Sequence, residues 1–148
     1  MLDILKLKKR YLKFAEEDGI EEQEIENVEH ILGLTLPDDF KEISRFFCGG
    51  CLGIVENYRF TQGKWNNIID ETKRLREEVN LPLKFVVLAE PSESLIVMDV
   101  EDKPSIIWCD SIDVYNLGTK SYARSPDTWE NYSDFFSELL SDEESDEI

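Results

Sequence analysis

Two amphipathic segments joined by a Leu-Pro dipeptide occupy residues 24–50 and restrict the possible folds of the chain. In the first segment, apolar residues recur at helical spacing up to Gly33, and glycine ends a helix readily because it adopts the left-handed conformation without strain. Pro37 suits the first turn of a second helix, and the two aspartates after it place negative charge at the positive helix end. The Gly49-Gly50 pair then allows a sharp turn. The residues expected on the buried side of the second helix are Phe40, Ile43, Phe46 and Phe47.

This order of helix, Leu-Pro turn, helix and Gly-Gly pair resembles the SUKH superfamily, which includes fungal cell-wall assembly regulators and many bacterial immunity proteins. The resemblance covers most of the chain and implies a SUKH-like fold. One departure is Cys48, because the family usually has a polar residue, often Asn, before the glycines. A closing Trp129-x-x-Tyr132-x-x-Phe135 segment supports the match. The residues that carry the resemblance are Glu29, Leu32, Gly33, Leu36, Pro37, Phe40, Gly49 and Gly50.

Three further helices are predicted from apolar periodicity. The first lies within residues 2–17, and the clearest one spans residues 64–80 with Trp65 on its apolar stripe. Asp127, followed three residues later by a glutamate, has the spacing of a reciprocal helix cap. It predicts a last helix that carries Trp129 on its apolar stripe. In these positions both tryptophans are interpreted as core residues rather than as exposed anchors.

Strands are predicted at residues 54–60, 85–89, 94–99, 105–109 and 113–117. The run at residues 85–89 is almost continuously apolar, which is typical of a central strand buried on both faces. The turns between the later strands contain Pro, Ser and Asp, which favour tight connections between neighbouring strands. The sequence therefore predicts an α+β fold, with a mainly antiparallel sheet of four to six strands and helices packed on one side.

A chain of 148 residues fits one domain with a hydrophobic core of its own. We expect a single SUKH-like domain over residues 1–140. Residues 141–148 are too charged to bury and are expected to form an acidic mobile tail. No apolar run approaches the ~20 residues that a membrane span needs, and the first residues lack the pattern of a secretory signal. A cytoplasmic location without membrane association is therefore expected.

The formal net charge is −17, and five of the sixteen lysines and arginines lie within residues 1–13, which leaves the rest of the chain strongly acidic. Direct binding to nucleic acid is disfavoured, because it requires a basic surface. Binding to a basic protein is favoured kinetically, because a field of opposite sign steers the encounter. Solubility alone is the alternative explanation of such a charge.

Residues 48–51 read Cys-Gly-Gly-Cys, a spacing found in redox pairs and in halves of metal sites. Here the motif follows a helix, and the partial negative charge of a helix C-terminus does not activate a thiol. A structural zinc site would need Cys48, Cys51, Cys109 and His30 together, without a second paired motif. We therefore expect buried or incidental thiols, no metal and no cofactor.

The sequence lacks the motifs of the common enzyme classes. The glycines of residues 49–53 are not followed by the Lys-Ser/Thr of a phosphate loop, and no Gly-x-Ser-x-Gly occurs. His30 is the only histidine, so no histidine pair is available for acid/base chemistry, and its place near a helix end suggests a surface residue. We therefore expect a binding protein rather than an enzyme.

The SUKH resemblance implies a function of this kind. Bacterial members resemble immunity proteins encoded beside polymorphic toxins, often nucleases, whose basic surfaces a rigid acidic domain can occlude. The expected partner is therefore a cognate protein toxin with a basic surface, bound stoichiometrically and without turnover. The oligomeric state is left open. The alternative that the resemblance implies is a regulatory or scaffold module of the cell-wall assembly regulator type.

Acidic residues at turns and strand ends are the predicted partner-binding residues. Successive hairpin loops can gather such residues into one patch, and loops on a rigid scaffold often carry recognition. The alternative is that they are ordinary turn residues, since Asp favours turns. The predicted set is Glu90, Glu93, Glu101, Asp102, Asp110 and Asp113.

Overall fold

The computed structural model describes residues 2–146, and this part of the chain contains five α-helices, a 3₁₀ helix and six strands. The helices are α1 (Ile4–Tyr11), α2 (Glu22–Leu32), α3 (Asp38–Ile43), α4 (Ile68–Val79) and α5 (Tyr132–Asp146). The strands are β1 (Gly50–Leu52), β2 (Val55–Asn57), β3 (Phe85–Ala89), β4 (Ser94–Asp99), β5 (Ile106–Asp110) and β6 (Asp127–Trp129), and the 3₁₀ helix is Ser111–Asn116. None of the helices within residues 2–146 combines the length and the apolarity that crossing a membrane requires.

The helix pair at the Leu-Pro dipeptide forms as the sequence predicts. α2 ends at Gly33, whose φ of 70° is the left-handed conformation expected of a glycine at a helix end. The Glu29 carboxylate accepts a hydrogen bond from the Leu36 amide at 2.7 Å and pairs with the Lys41 ammonium at 3.1 Å. Glu29 therefore fixes the turn between α2 and α3. The side chains predicted to be buried are buried: Phe40, Ile43, Phe46 and Phe47.

Asp39 fastens this helix pair to α5. Its buried carboxylate accepts one hydrogen bond from the Phe40 amide at 2.9 Å and another from the Ser133 amide at 2.8 Å. Ser133 lies in the first turn of α5, where backbone N–H groups have no partner within the helix and the helix dipole is positive. A carboxylate at this point satisfies an N–H donor and complements the dipole, so α3 and α5 are joined through the core.

The larger sheet is antiparallel throughout, in the order β3-β4-β5-β6. β3 is buried along its whole length, as predicted, but it lies at the end of this order rather than at the centre. Its outer edge is covered, because the Val87 amide donates to the Thr72 hydroxyl of α4 at 2.9 Å and the Leu88 carbonyl accepts from the Tyr58 amide at 2.9 Å. These contacts protect an edge strand that would otherwise present unpaired backbone groups.

Two hydrophobic clusters lie on the two faces of the four-stranded sheet. The larger one contains the inward sides of α1, α2, α3 and α5, together with Val86 and Ile96 of the sheet. The smaller one contains Val87 and Val97 from the other face, with Leu75 of α4 packed on them. The predicted α+β class with a mainly antiparallel sheet is confirmed. In addition, α4 reaches round the β3 edge and contributes to both clusters.

Several predicted elements differ from the structure. Residues 113–117 were expected to form an edge strand, but residues 111–116 form a 3₁₀ helix, and the actual edge strand is β6. Trp129 lies at the end of β6, paired with Ile106, rather than on a helix stripe. It is half-buried and packs edge-on against Phe135, with ring centroids 4.8 Å apart. α1 ends at Tyr11, well before residue 17.

The last helix continues through the point where the sequence suggested a tail. α5 runs to Asp146 without a break at residue 140. Glu143 accepts a hydrogen bond from the Gly53 amide at 2.8 Å, and Glu144 pairs with Arg10 at 2.7 Å. These contacts give residues 141–146 a structural role that their charge alone did not suggest. The last two residues of the predicted tail lie outside the described residues.

Candidate functional site

A groove of about 880 Å³ lies where the β1–β2 hairpin, the loop before α4 and the turn between β3 and β4 meet. Two large apolar side chains line it in contact with solvent: Ile54 is 73% exposed and Trp65 is 65% exposed. Exposed apolar anchors beside charged residues are typical of surfaces that bind other proteins. The lining residues that matter most are Cys51, Ile54, Glu56, Lys64, Trp65 and Glu90.

The first wall of the groove is the outer face of the β1–β2 hairpin. In this pair Leu52 lies opposite Val55, and Cys51 lies opposite Glu56. Because neighbouring residues of a strand point to opposite faces, Leu52 and Val55 are buried in the core, while Cys51 and Glu56 are exposed towards the groove. Ile54 lies in the turn between the strands and is 73% exposed.

The hairpin is attached to the body of the protein at both ends. At its turn, the Gly53 amide donates to the Glu143 carboxylate of α5 at 2.8 Å. At its start, Gly49 has a φ of 104°, and a Cβ there would lie 2.4 Å from the Tyr58 carbonyl oxygen. Only glycine therefore fits this close approach of the two chain segments. The wall is thus held against the core before any partner binds.

The second wall carries Trp65, which lies before α4 and not on its apolar stripe as the sequence predicted. α4 begins only at Ile68, because the Asn67 side-chain oxygen caps the helix by accepting from the Asp70 amide at 2.9 Å. A cap residue has an extended backbone, so the helical periodicity stops there. The buried Asn67 amide group also donates to the Trp65 carbonyl at 3.2 Å. The core interpretation of Trp65 is therefore wrong, and its backbone is fixed in an exposed position.

The base of the Trp65 loop is closed by two backbone hydrogen bonds. The Arg59 amide donates to the Asn66 carbonyl at 3.0 Å, and the Ile68 amide donates to the Arg59 carbonyl at 2.8 Å. These bonds connect the start of α4 directly to the chain that leaves β2. The two walls of the groove therefore have a fixed position relative to each other.

The third side of the groove contains Glu90, the residue after β3. Its carboxylate accepts from the Tyr58 hydroxyl at 3.0 Å and pairs with the Arg74 guanidinium. Arg74 also pairs with Glu71 at 2.7 Å and with Glu78 at 3.2 Å. The bond to Glu71 and the charge of Glu90 raise the pKa of Arg74, and burial together with Glu90 raises the pKa of Tyr58. Tyr58 thus remains a neutral donor that orients Glu90.

Arg59 closes one end of the groove with its charge already compensated. Its guanidinium lies 3.6 Å from the Asp18 carboxylate and donates to the Cys48 sulfur at 3.5 Å. Burial, followed by the contact with Asp18, raises the pKa of Cys48. Because a thiolate is the reactive form, a raised pKa makes this thiol less reactive.

The three cysteines are free thiols in different surroundings: Cys48 is half-buried, Cys51 is exposed and Cys109 is buried. Burial raises the pKa of Cys109 to about 11. His30 is exposed in the last turn of α2, as the sequence suggested. Within the part of the chain that the structure describes, no group of three or more His, Cys, Asp or Glu side chains is arranged to hold a metal ion. That the C-x-x-C motif is inert stays a prediction.

The six predicted partner-binding residues do not form one patch. Ser94 pairs with Asp110, so the β3–β4 turn and the end of β5 lie at one end of the sheet. The β4–β5 turn lies at the other end, beyond the pairing of Met98 with Ile106. A strand of six residues separates these ends by roughly 20 Å. The structure therefore divides the set into Glu90, Glu93, Asp110 and Asp113 at one end and Glu101 and Asp102 at the other.

Several of these acids have structural partners. Asp113 is fully buried, and the hydrogen bonds from the Ala123 amide, Asn116 and the Arg124 amide lower its pKa. Asp110 pairs with the Arg124 guanidinium at 2.8 Å. The Asp102 carboxylate pairs with a lysine of the same sheet end, Lys84, at 2.8 Å. In the same set, Glu90 lines the groove, and Glu93 is exposed in the adjoining turn.

The groove residues that sequence reasoning missed are Ile54, Glu56 and Trp65. The one local signal for Ile54 was its position next to Gly53, which suggests a tight turn with an apolar residue at the tip. For Trp65, the signal was the Asn66-Asn67 pair, since Asn is a preferred helix cap. No local signal brings the three residues together, because the groove unites segments that are distant in sequence.

The structure defines the class of the protein as an α+β domain in which a helix–Leu-Pro–helix unit is fastened to a closing helix beside an antiparallel sheet. A family model described as the SMI1/KNR4 family (SUKH-1) matches residues 19–142, and the chain therefore belongs to this family. The match confirms the SUKH resemblance, and the matched region includes the three walls of the groove. A comparison with curated proteins finds no match to this chain.

Proposed function

We propose that this protein is a non-enzymatic immunity protein, which neutralises a cognate toxin by stoichiometric binding.

 The family to which the chain belongs supports a binding role, and the toxin that we propose is of the nuclease class, with a basic surface. The observation that carries the proposal is the groove, where Ile54 and Trp65 are exposed beside Glu56 and Glu90. Apolar anchors that face solvent beside acidic groups suit a basic protein partner.

Trp65 is suited to anchor a partner because its backbone is fixed in advance. The Asn67 side chain holds the Trp65 carbonyl, and the Arg59–Asn66 and Ile68–Arg59 hydrogen bonds close the loop. The backbone of this loop therefore loses little conformational freedom on binding, so more of the area buried by Trp65 contributes to affinity. Tryptophan is also enriched among interface residues whose truncation costs about 2 kcal/mol or more.

The acidic residues near the groove would act mainly on the rate of association. Glu56 and Glu93 are exposed, and the whole chain has a formal charge of −17. A field of this sign attracts a nuclease surface that is built to bind phosphates, and charges at the rim of an interface typically change the on-rate and its salt dependence. The predicted acidic patch is therefore proposed here in a narrower form, centred on the groove and without Glu101 and Asp102.

A regulatory or scaffold role is the alternative within the same family. Both functions are binding functions, so they differ in the partner and in the consequence of binding. A toxin gene beside the gene of this protein would identify the partner to test. Titration of that toxin's activity with the purified protein should then reach complete inhibition at one equivalent. Binding without any loss of toxin activity would contradict neutralisation and favour the scaffold role.

A charge-reversal experiment tests where the toxin binds. We expect Glu56→Lys combined with Glu93→Lys to slow association with the toxin by roughly an order of magnitude at low salt and to weaken its salt dependence. The matched control is Glu101→Lys combined with Glu130→Lys, which changes the net charge equally at the opposite end of the sheet. Stopped-flow or surface-based kinetics give the rates. Equal slowing in both double variants would contradict a binding site at the groove.

A further inference from the structure

The exposed ring of Trp65 already has a cation over its face. The Lys64 ammonium lies 5.6 Å from the centroid of the indole, within the range of a cation–π contact. Both side chains are exposed, and both line the groove. Within residues 2–146 Lys64 forms no salt bridge, so its ammonium can leave the ring without breaking an ion pair.

The other charges of the groove leave one carboxylate uncompensated. Arg59 is paired with Asp18, and Arg74 is paired with three glutamates that include Glu90. Glu56 is exposed on the outer face of β2, opposite Cys51, and forms no salt bridge with any described residue. The groove therefore combines an aromatic face with an unpaired carboxylate, which is a combination that suits an incoming cation.

We propose that the groove receives an arginine side chain from a protruding loop of the partner protein, which stacks on Trp65 in place of Lys64 and pairs with Glu56. This inference rests on the proposed function, because it names the chemical group that the same site recognises. Arginine fits better than lysine, since its planar guanidinium stacks on an aromatic face, sheds water more easily and pairs with a carboxylate through two parallel hydrogen bonds. In the absence of the partner, the Lys64 ammonium lies over the Trp65 ring, and the guanidinium of the partner replaces it on binding.

Short peptides test the assignment without the toxin. The probes are acetyl-Gly-Gly-Arg-Gly-Gly-amide, the same peptide with lysine, and the same peptide with citrulline, which keeps the shape of arginine but lacks its charge. We expect the arginine peptide to shift the Trp65 indole N–H signal in NMR spectra, the lysine peptide to shift it less, and the citrulline peptide to leave it in place. The Trp65→Phe variant identifies this signal among those of the three tryptophans.

Substitution of Lys64 gives the sharpest readout. Lys64→Ala should tighten binding of the arginine peptide by about two- to fivefold, because the competing internal cation is removed. Glu56→Gln should weaken binding of the arginine peptide, while the citrulline peptide should still leave the indole signal in place. All three side chains are exposed, so the variants should retain the thermal midpoint of the parent protein. Equal signal shifts with arginine and citrulline, or no effect of Lys64→Ala, would overturn the assignment.

The same variants separate this inference from the proposed function. If Trp65→Ala abolishes binding of the toxin while the arginine peptide does not bind, the groove remains the toxin site and the arginine assignment is overturned. If the arginine peptide binds as expected while Trp65→Ala leaves toxin binding unchanged, the recognition chemistry stands and the groove is not the toxin site. Both measurements use the full chain.

Discussion

At the scale of single residues, Asp39 shows how one carboxylate can join distant parts of the chain. It belongs to the Leu-Pro-Asp-Asp-Phe sequence that begins α3, yet it accepts a hydrogen bond from the Ser133 amide in the first turn of α5. The local sequence predicts only its effect on the helix that contains it. The bond to α5 depends on the packing of two helices that are far apart in sequence, so no local pattern could reveal it.

We expect Asp39→Ala to lower the free energy of unfolding by about 2–3 kcal/mol, because it leaves buried amide donors of two helices without an acceptor. Asp39→Asn should cost less, since the amide oxygen still accepts one hydrogen bond. Asp38→Ala is the matched control, because it removes a neighbouring carboxylate from the same first turn of α3. Denaturant unfolding gives the values. An equal loss for both alanine variants would contradict a special role for Asp39.

Trp65 shows where apolar periodicity fails as a predictor of burial, namely at the start of a helix. The apolar periodicity of residues 64–80 was a correct signal for α4 but extended too far towards the N-terminus. The capping hydrogen bond of Asn67 fixes the start of α4, and the tryptophan before this cap is left exposed. Capping chemistry therefore overrides periodicity at a helix boundary, and it turns an expected core residue into a candidate binding residue.

At the scale of elements, α1 and the end of α5 support each other through Arg10. The guanidinium donates to both Glu144 carboxylate oxygens, at 3.1 Å and 2.7 Å, and to the Ser137 hydroxyl at 3.0 Å. The bond to Arg10 lowers the pKa of Glu144. This clamp explains why charged residues after position 140 continue the helix. The sequence could not predict it, because Arg10 and Glu144 are at opposite ends of the chain.

We expect Arg10→Met, which keeps the apolar stem but removes the guanidinium, to lower the free energy of unfolding by about 1–2 kcal/mol. The estimate exceeds that of an ordinary surface pair because Arg10 is partly buried and its contacts are bidentate. Lys9→Met on the exposed side of α1 is the control and should have no measurable effect. A denaturation midpoint of Arg10→Met equal to that of the control would contradict the clamp.

The elements that the sequence predicted correctly are those with strong local signals. α2 with its glycine end, the continuous apolar strand β3 and the following strands β4 and β5 all occur as expected. The 3₁₀ helix replaced a predicted strand because the Asp113 carboxylate binds the amides of Ala123 and Arg124, which lie ten and eleven residues later. Such bonds stabilise a compact loop that alternation of apolar residues does not reveal.

At the scale of the whole molecule, the candidate site is a product of topology. Ile54, Trp65 and Glu90 belong to three segments that meet only after β2, α4 and β3 have packed together. The fold class could be predicted from the elements, because an antiparallel sheet with helices follows from their order. The site could not, since the direction of each strand decides at which end of the sheet a turn lies. The strand directions also separate the six acidic residues that were predicted to form one patch into two groups at opposite ends of the sheet.

The central claim is that the partner docks on the groove, and the dissociation constant of the complex tests it most directly. Trp65→Ala should raise that constant about 30-fold or more, which corresponds to about 2 kcal/mol for an anchor residue. Leu83→Ala is the matched control, because Leu83 is 70% exposed at the opposite end of the sheet. It should change the constant less than about twofold. Calorimetric titration of both variants with the cognate toxin gives the comparison, and equal dissociation constants for the two would contradict the claim.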